Sequence, residues 1–145
     1  MKTFKIFALL MIVALSLSAC GSRKDTLTDV VWQWASMQET MPPSQSVVPQ
    51  PADYTITFNE DGTVDIQADC NRVAGTYTTN DDKLTIEIGP STRMACADGS
   101  QDQIFLASLG RVGSYDFKDD QLQLKFADDT GKMDFNNGGS ASESE

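Results

Sequence analysis

The sequence contains no histidine, and this absence excludes several common functional sites. Among its 145 residues are 21 acidic and 11 basic side chains, 3 cysteines and 0 histidines. Without imidazole the chain cannot build a Ser-His-Asp triad, a Cys-His dyad, a two-His iron site or a His-ligated haem. Carboxylates, Lys, Tyr or a bare thiol would have to carry any catalysis, and no motif assembles them. We therefore expect no catalytic residue, no metal, no cofactor and no enzymatic activity.

Basic residues are also scarce. The formal net charge is -10, whereas proteins that hold nucleic acid or anionic lipid by charge do so with Lys and Arg. The composition therefore argues against nucleic acid as a partner. The length and a hydrophobic fraction of 40% are enough for one ordinary folded domain.

The first twenty residues have the three parts of a bacterial export signal. Two lysines precede the apolar run from Ile6 to Leu15, and small residues follow. The run is shorter than the roughly 20 residues that cross a bilayer. Its end, Leu17-Ser18-Ala19-Cys20, resembles the lipobox of bacterial lipoproteins, in which the thiol receives a diacylglycerol. We expect residues 1–19 to be a signal peptide and Cys20 to be lipidated; a plain secretory signal that contains a Cys is the alternative.

Acyl chains on Cys20 would hold this acidic protein at a membrane without basic residues, since each buried methylene contributes about 0.8 kcal/mol. Gly21 follows the cysteine. By resemblance to lipoproteins of bacteria with two membranes, the absence of Asp there favours the outer membrane. The expected location is therefore the cell outer membrane, with a lipid-anchored domain that faces the periplasm.

The rest of the chain divides into a tether, a domain and a tail. Residues 20–28 are short and polar and are predicted to be the lipidated Cys and its tether. Residues 29–136 contain every aromatic residue outside the signal and form the predicted domain. Residues 137–145 have no aromatic or branched apolar residue and are predicted to be a disordered acidic tail.

Apolar and polar residues alternate through most of the domain, which predicts β-strands. An opening strand carries Trp32 and Trp34 on one side; these are interpreted as core residues, with stacking on a ligand as the alternative. The later strands form hairpins whose turns contain Asp and Gly. The acidic pairs in three of these turns could bind calcium, but turn chemistry is the better account: Asp81-Asp82, Asp119-Asp120 and Asp128-Asp129.

Two segments break the alternation. Ser100 to Gln103 has the chemistry of a capping box, and helical spacing follows as far as Gly110. Residues 39–53 are rich in proline and are predicted to be an irregular loop, either an insertion or a contact surface. The predicted fold class is α+β, mainly antiparallel β, with a small barrel-like or sandwich sheet of about eight strands and one helix packed on it.

The most specific marks in the chain are two cysteine-containing segments. One is Cys70-Asn71-Arg72-Val73-Ala74-Gly75-Thr76-Tyr77, and the other is Thr92-Arg93-Met94-Ala95-Cys96. Together with Trp32 and the helix, they resemble the META domain, or HslJ-like, family over about residues 29–136. The resemblance implies a compact antiparallel β domain with one helix, exported or membrane-anchored, which different members link to envelope stress, antibiotic tolerance or motility. It implies no catalytic site. The residues that match the family motif are Asn71, Gly75, Tyr77, Thr92 and Met94.

Two cysteines remain after Cys20 is assigned to lipid. An even pair in an oxidising compartment predicts a disulfide between Cys70 and Cys96, with a nucleophilic thiol or a metal ligand as the alternatives. Asn71 and Gly75 are interpreted as residues that set local backbone geometry, although Asn71 could instead contact a ligand.

Two arginines lie close in sequence to the paired cysteines. Arg72 and Arg93 could bind an anionic group, but in so acidic a chain we expect them to pair with Asp69 or Asp98.

The sequence thus predicts a lipid-anchored envelope protein whose domain is a non-enzymatic interaction or stress-related module. Its partners would be the membrane, through the acyl chains on Cys20, and an envelope protein. The alternative is a β domain that binds a small apolar molecule. An apolar cavity of a few hundred Å³ under the helix would favour the alternative, whereas a filled interior beside an exposed apolar patch would favour a protein partner.

Overall fold

A computed structural model describes residues 26–143. The predicted signal peptide and Cys20 lie outside the described residues. Within residues 26–143 the chain forms nine β-strands, one α-helix and two short 3-10 turns, Pro51–Asp53 and Ala141–Glu143. The strands are β1 (Val30–Thr40), β2 (Pro43–Val47), β3 (Tyr54–Phe58), β4 (Thr63–Ala68), β5 (Asn71–Asn80), β6 (Lys83–Ser91), β7 (Val112–Lys118), β8 (Gln121–Phe126) and β9 (Gly131–Ser140), and the helix α1 is Asp102–Leu109.

Eight of the strands close into an antiparallel barrel. Neighbours along the chain pair from β3 to β9, and β1 joins β3 to β9. β1 is long enough to serve three partners: β9 lies along one edge, while β3 and β2 share the other. The barrel confirms the predicted fold class, and β2 is an additional strand outside the closed ring.

The hairpin turns explain several of the acidic residues. Asp81, Asp119, Asp120 and Asp129 all have φ between 52° and 62°, a region that Asp and Asn enter more readily than most residues. Their placement in these turns agrees with the turn interpretation of the acidic pairs. Residues 26–143 contain no group of three acidic or Cys side chains that could hold a metal ion.

Both ends of the described chain lie at one end of the barrel, which we call the terminal end. The amide of Asp29 donates to the Phe58 carbonyl (3.1 Å), and the amide of Ala141 donates to the Asp29 carbonyl (3.0 Å). Because the strands are antiparallel, the β3–β4, β5–β6 and β7–β8 turns lie at this end too. The opposite end, the helix end, is covered by α1.

Side chains fill the barrel interior. Phe105 of α1 stacks on Trp34, with ring centroids 5.1 Å apart, and meets the Tyr54 ring edge-on at 5.8 Å. Trp32 and Trp34 are 3% and 1% exposed, which confirms both as core residues. Aromatic rings of α1, β1 and β3 therefore pack together under the helix.

The proline-rich segment differs from its prediction as an irregular loop. Residues 43–47 form β2, which pairs with Ser36–Thr40 of β1. Pro43 is the first residue of this edge strand, a position where a missing amide removes no bond to a neighbour. Prolines therefore flank the strand without interrupting it.

The predicted boundaries at both ends of the domain also need correction. Residues 137–140, predicted to be disordered, complete β9 because their backbones pair with the start of β1. Leu27, predicted to lie in the tether, is buried, and its carbonyl accepts a bond from Trp32 Nε1 (3.0 Å). Main-chain pairing and one apolar side chain thus order segments whose composition is polar.

The helix begins at Asp102, one residue later than the capping box predicts, and the Asp102 amide donates to the Ser100 hydroxyl (3.3 Å). Gln101 is the N-cap and makes no side-chain cap bond. Its amide instead donates to the Tyr54 hydroxyl (2.9 Å), which fixes the start of α1 against β3. None of the described helices is long and apolar enough to span a bilayer.

Candidate functional site

Asn71 is a buried polar hub that joins the two cysteine-containing segments. It is the first residue of β5 and only 3% exposed. Its Oδ1 accepts from the Met94 amide (2.6 Å) and the Thr92 hydroxyl (3.0 Å). Its Nδ2 lies within donor distance of the Met94 carbonyl (3.0 Å) and Asp102 Oδ2 (3.2 Å). One side chain therefore ties the 92–101 loop and the start of α1 to the sheet.

The disulfide reinforces the same junction. Cys70 and Cys96 are bonded, with their Cα atoms 5.6 Å apart. Cys70 precedes Asn71, and Cys96 lies in the loop that Asn71 holds. The bond and the hub thus fasten a loop without regular structure to the helix end of the barrel.

Thr92, Met94 and Gly75, three further residues of the family motif, are held by contacts within the barrel. Thr92 Oγ1 also accepts from the Arg72 amide (3.2 Å), and the main chain of Met94 is held by Asn71 while its side chain is 54% exposed. A Cβ added to Gly75 would collide with the Glu87 carbonyl oxygen and lie 3.1 Å from Val64 Cγ2. Glycine is therefore required where β5 approaches β6, in agreement with its geometric interpretation.

Tyr77 lies near the terminal end. Its hydroxyl donates to the Asn59 carbonyl (2.8 Å), and its ring meets Phe58 edge-on at 5.0 Å. Partial burial raises the pKa of Tyr77, and the negative charges of Asp61 and Asp29 raise it further. The hydrogen bond and the ring contact assign Tyr77 to the structure of the barrel.

A surface concavity lies on the outside of the barrel wall, and we call it the outer trough. It has a volume of about 760 Å³ and crosses β1, β3, β4 and β5 to the end of β6. A bulge between Val73 and Gly75 bends these last strands. The outer trough is lined chiefly by Val31, Gln33, Thr55, Thr57, Asp65, Gln67, Arg72, Ala74, Pro90, Ser91 and Thr92.

Strand register aligns the polar side chains of the outer trough in a row. Gln33 is opposite Thr55, Thr55 is opposite Gln67, and Gln67 is opposite Arg72. The Arg72 carbonyl then accepts from the Thr92 amide (3.2 Å). Adjacent strands are about 4.8 Å apart, so the row extends roughly 19 Å across the sheet. This polar row is a surface that no single sequence motif encodes.

Arg72, next to the Thr92 end of the polar row, is a cation that has no acidic partner. Arg72 Nη1 donates to Gln67 Oε1 (2.6 Å), and within residues 26–143 neither Arg72 nor Arg93 forms an ion pair. The prediction that these arginines pair with Asp69 or Asp98 is therefore wrong. Asp69 has φ 56° and serves the turn between β4 and β5, which explains its presence without an ionic role.

The fold and the hub together define a small α+β barrel whose helix end is closed by one helix and a disulfide-linked loop. The family motif contains Asn71, Thr92 and Met94 of the hub but not Asp102, and it did not predict that the Asn71 side chain joins separate segments. The sequence did not identify the outer trough, because outward-facing Thr and Gln residues are ordinary on the solvent side of strands. Only their register shows that they form a row.

Comparison with known proteins assigns the family. A model of the META domain matches residues 25–137, and the chain therefore belongs to the META domain family. A search of curated proteins found no match.

Two solved structures are similar to this chain. A protein from Burkholderia xenovorans, determined by NMR, is 26% identical over 77% of this chain and 83% of its own, with a TM-score of 0.60. A DUF4847 family protein from Bacteroides vulgatus is 14% identical over 77% of this chain and 94% of its own, with a TM-score of 0.56. The second similarity concerns the fold alone.

Proposed function

We propose that this protein is a lipid-anchored, non-enzymatic envelope protein whose META domain binds an extended segment of a protein partner in the outer trough. The observation that carries the proposal is the contrast between a barrel interior filled by side chains and a long concavity on its wall that contains the polar row. A partner that cannot enter the barrel has a preformed surface on its outside.

Hydrogen-bonding groups in the outer trough are free to receive a partner. Among the described residues, the side chains of Gln33, Thr55 and Thr57 make no hydrogen bond within the protein. These amide and hydroxyl groups can donate to and accept from the polar groups of a partner segment. Because Arg72 has only a neutral partner, an acidic side chain or carboxyl terminus near that end of the segment would form a charge-assisted bond.

Photo-crosslinking in intact cells tests this proposal. A photoreactive amino acid at Thr55, in the middle of the polar row, should capture a defined envelope protein that mass spectrometry identifies. The matched control carries the same group at Thr85, an exposed position on β6 outside the outer trough. Arg72→Glu should reduce capture from Thr55 without changing the melting temperature. Equal capture from Thr85, or capture that Arg72→Glu leaves unchanged, would contradict the assignment of the surface.

A small molecule is the second candidate for this surface. The volume of the outer trough lies within the range of small-ligand sites, about 300–1,000 Å³. Native mass spectrometry of protein purified from its own envelope distinguishes the two candidates. A retained small molecule that Arg72→Glu releases would favour ligand binding over a protein partner.

The anchor is tested separately. Labelled palmitate should enter the wild-type protein and not Cys20→Ala. Equal labelling of the two would remove the lipid anchor from the proposal and leave the outer trough unaffected.

A further inference from the structure

β2 leaves one main-chain edge open. β2 pairs only with β1 among the described residues, and all five of its side chains are exposed. Proteins usually protect such an edge with charged side chains, a bulge or a central proline. Here residues 40–52 contain no Asp, Glu, Lys or Arg, and Pro43 stands at the beginning of the strand. The centre of β2 is therefore open to another strand.

Two hydrogen bonds establish which main-chain groups point outward. The Thr40 amide donates to the Thr130 carbonyl (2.8 Å), so the main-chain groups of Thr40 point away from β2. The Val48 amide donates to the Ala35 carbonyl of β1 (2.9 Å), so the main-chain groups of Val48 point to β1. The main-chain N–H and C=O groups of successive residues in an antiparallel strand point to opposite edges of that strand. Ser44 and Ser46 therefore direct their main-chain groups to β1, whereas Gln45 and Val47 direct theirs to the open edge.

We propose that β2 pairs with β2 of a second copy of this chain, antiparallel and related by a twofold axis at Gln45. The order Pro43, Gln45, Val47 is complementary to itself in that register. Gln45 would exchange two main-chain bonds with Gln45 of the second copy. The Val47 amide would donate to the Pro43 carbonyl of the second copy, and this bond occurs twice by symmetry. Pro43 lacks an amide, but the register requires only its carbonyl.

The charge distribution permits a second copy as the occupant of this edge, and the self-complementary register favours it. Two chains with a formal net charge of -10 each repel one another over most of their surfaces. The uncharged 40–52 segment lets the two copies meet without placing acidic groups in contact. It also exposes Met41 (81%) and Val47 (70%), whose burial would favour association. Because the strand is short, we expect a weak dimer with less than the roughly 1,200 Å² of a standard interface.

Cysteine crosslinking tests the pairing in the full chain in its own envelope. Paired residues that exchange main-chain bonds have Cα atoms about 5.5 Å apart, within the range of a disulfide. Gln45→Cys should therefore give a band of twice the chain mass on a non-reducing gel. Thr78→Cys, at an exposed position on β5, is the matched control and should remain monomeric. No dimer, an equal dimer from the control, or a crosslink only to another protein would overturn the proposal.

Charge variants test the register independently of cysteine chemistry. Gln45→Glu and Gln45→Lys each place like charges opposite one another across the axis, which destabilises a strand pair. Sedimentation of either variant alone should therefore show at least a tenfold weaker dimer than the wild type. A mixture of the two should form a heterodimer. A mixture that sediments as monomer, or variants that dimerise like the wild type, would exclude Gln45 from the axis.

Discussion

Asn71→Asp changes the hub with almost no change of shape. The new side chain keeps an oxygen where the Met94 amide and the Thr92 hydroxyl donate. It removes the Nδ2 donor that serves the Met94 carbonyl and Asp102. Because Asn71 is 3% exposed, water does not easily replace the lost bonds.

Two effects contribute to the expected loss of stability. Each lost hydrogen bond costs about 1 kcal/mol. The new carboxylate would also lie about 3.2 Å from Asp102 Oδ2, and like charges about 4 Å apart repel by roughly 4 kcal/mol near a protein surface. Asp102 is half-buried, so solvent screening lowers this term to roughly 1–3 kcal/mol. We expect unfolding at pH 7 to require about 3–5 kcal/mol less than in the wild type.

The dependence on pH identifies the cause. Repulsion from Asp102 raises the pKa of the new carboxyl above its ordinary value. In the window between its unfolded and folded pKa values, the native variant binds more protons than the unfolded chain, so its stability falls as pH rises. Below this window the protonated carboxyl can donate to Asp102. The deficit relative to the wild type should therefore shrink as the solution becomes acidic.

Urea unfolding at pH 7 and at about pH 4.5 measures both effects. Asn80→Asp, an exposed position on the same strand, is the control and should change stability by less than about 0.5 kcal/mol. A deficit below about 1 kcal/mol for Asn71→Asp, or one that is the same at both pH values, would refute the role of Asn71 as a buried hub.

Three further predictions concern the barrel. Gly75→Ala should lower the free energy of unfolding by about 1–3 kcal/mol, since the facing strand β6 must shift. Gly110→Ala, the control, should be nearly neutral. Equal effects of the two changes in denaturant titrations would be inconsistent with the close approach of Gly75 to β6. The Thr63 hydroxyl and amide donate to Asp61 and lower its pKa, so its contribution to stability is present above the unfolded pKa and lost as pH falls through the folded pKa. Asp61→Asn should therefore flatten the acid side of the melting-temperature profile; a profile parallel to the wild type would contradict this. Replacing both disulfide cysteines with Ser should lower the free energy of unfolding by about 3–4 kcal/mol for a loop of this length. Urea unfolding measures this loss, and an unchanged midpoint would contradict a stabilising role of the disulfide.

Alternation predicted the strands whose side chains divide between core and solvent. Leu84 and Ile86, for example, are buried on one face of β6, but Ile88 on the same face is 36% exposed because β6 pairs with β7 only at Lys83. β2 was missed because all of its side chains are exposed, so burial leaves no pattern in its sequence. Residues 137–140 were missed for a related reason, since their backbone alone holds them to β1.

The candidate functional site was likewise only partly predictable from the sequence. The even pair of cysteines that remains when Cys20 is assigned to lipid predicts the disulfide, and the residues beside these cysteines led to Asn71. The polar row depends on pairings such as Gln33 with Thr55 and Gln67 with Arg72, which join positions from separate strands. Register between strands is determined by the whole barrel, and a short motif does not carry it.

The terminal end of the barrel would determine how an anchored molecule stands on its membrane. Thr26, the first described residue, follows Cys20 by six positions, a reach of at most about 21 Å. Lipidation would therefore direct the terminal end toward the lipid headgroups. That end carries an acidic rim formed by Asp29, Glu60, Asp61, Asp81, Asp82, Asp119 and Asp120.

The acidic rim would act as a spacer. Anionic headgroups would repel it at close range, but the repulsion decays over a Debye length of about 8 Å at physiological ionic strength. The reach of about 21 Å from Cys20 to Thr26 is long enough for the acidic rim to lie more than one Debye length from the headgroups. The helix end of an anchored domain would then point away from the bilayer, and the outer trough with Arg72 would remain accessible from the side. Low salt would increase the distance between the acidic rim and the headgroups.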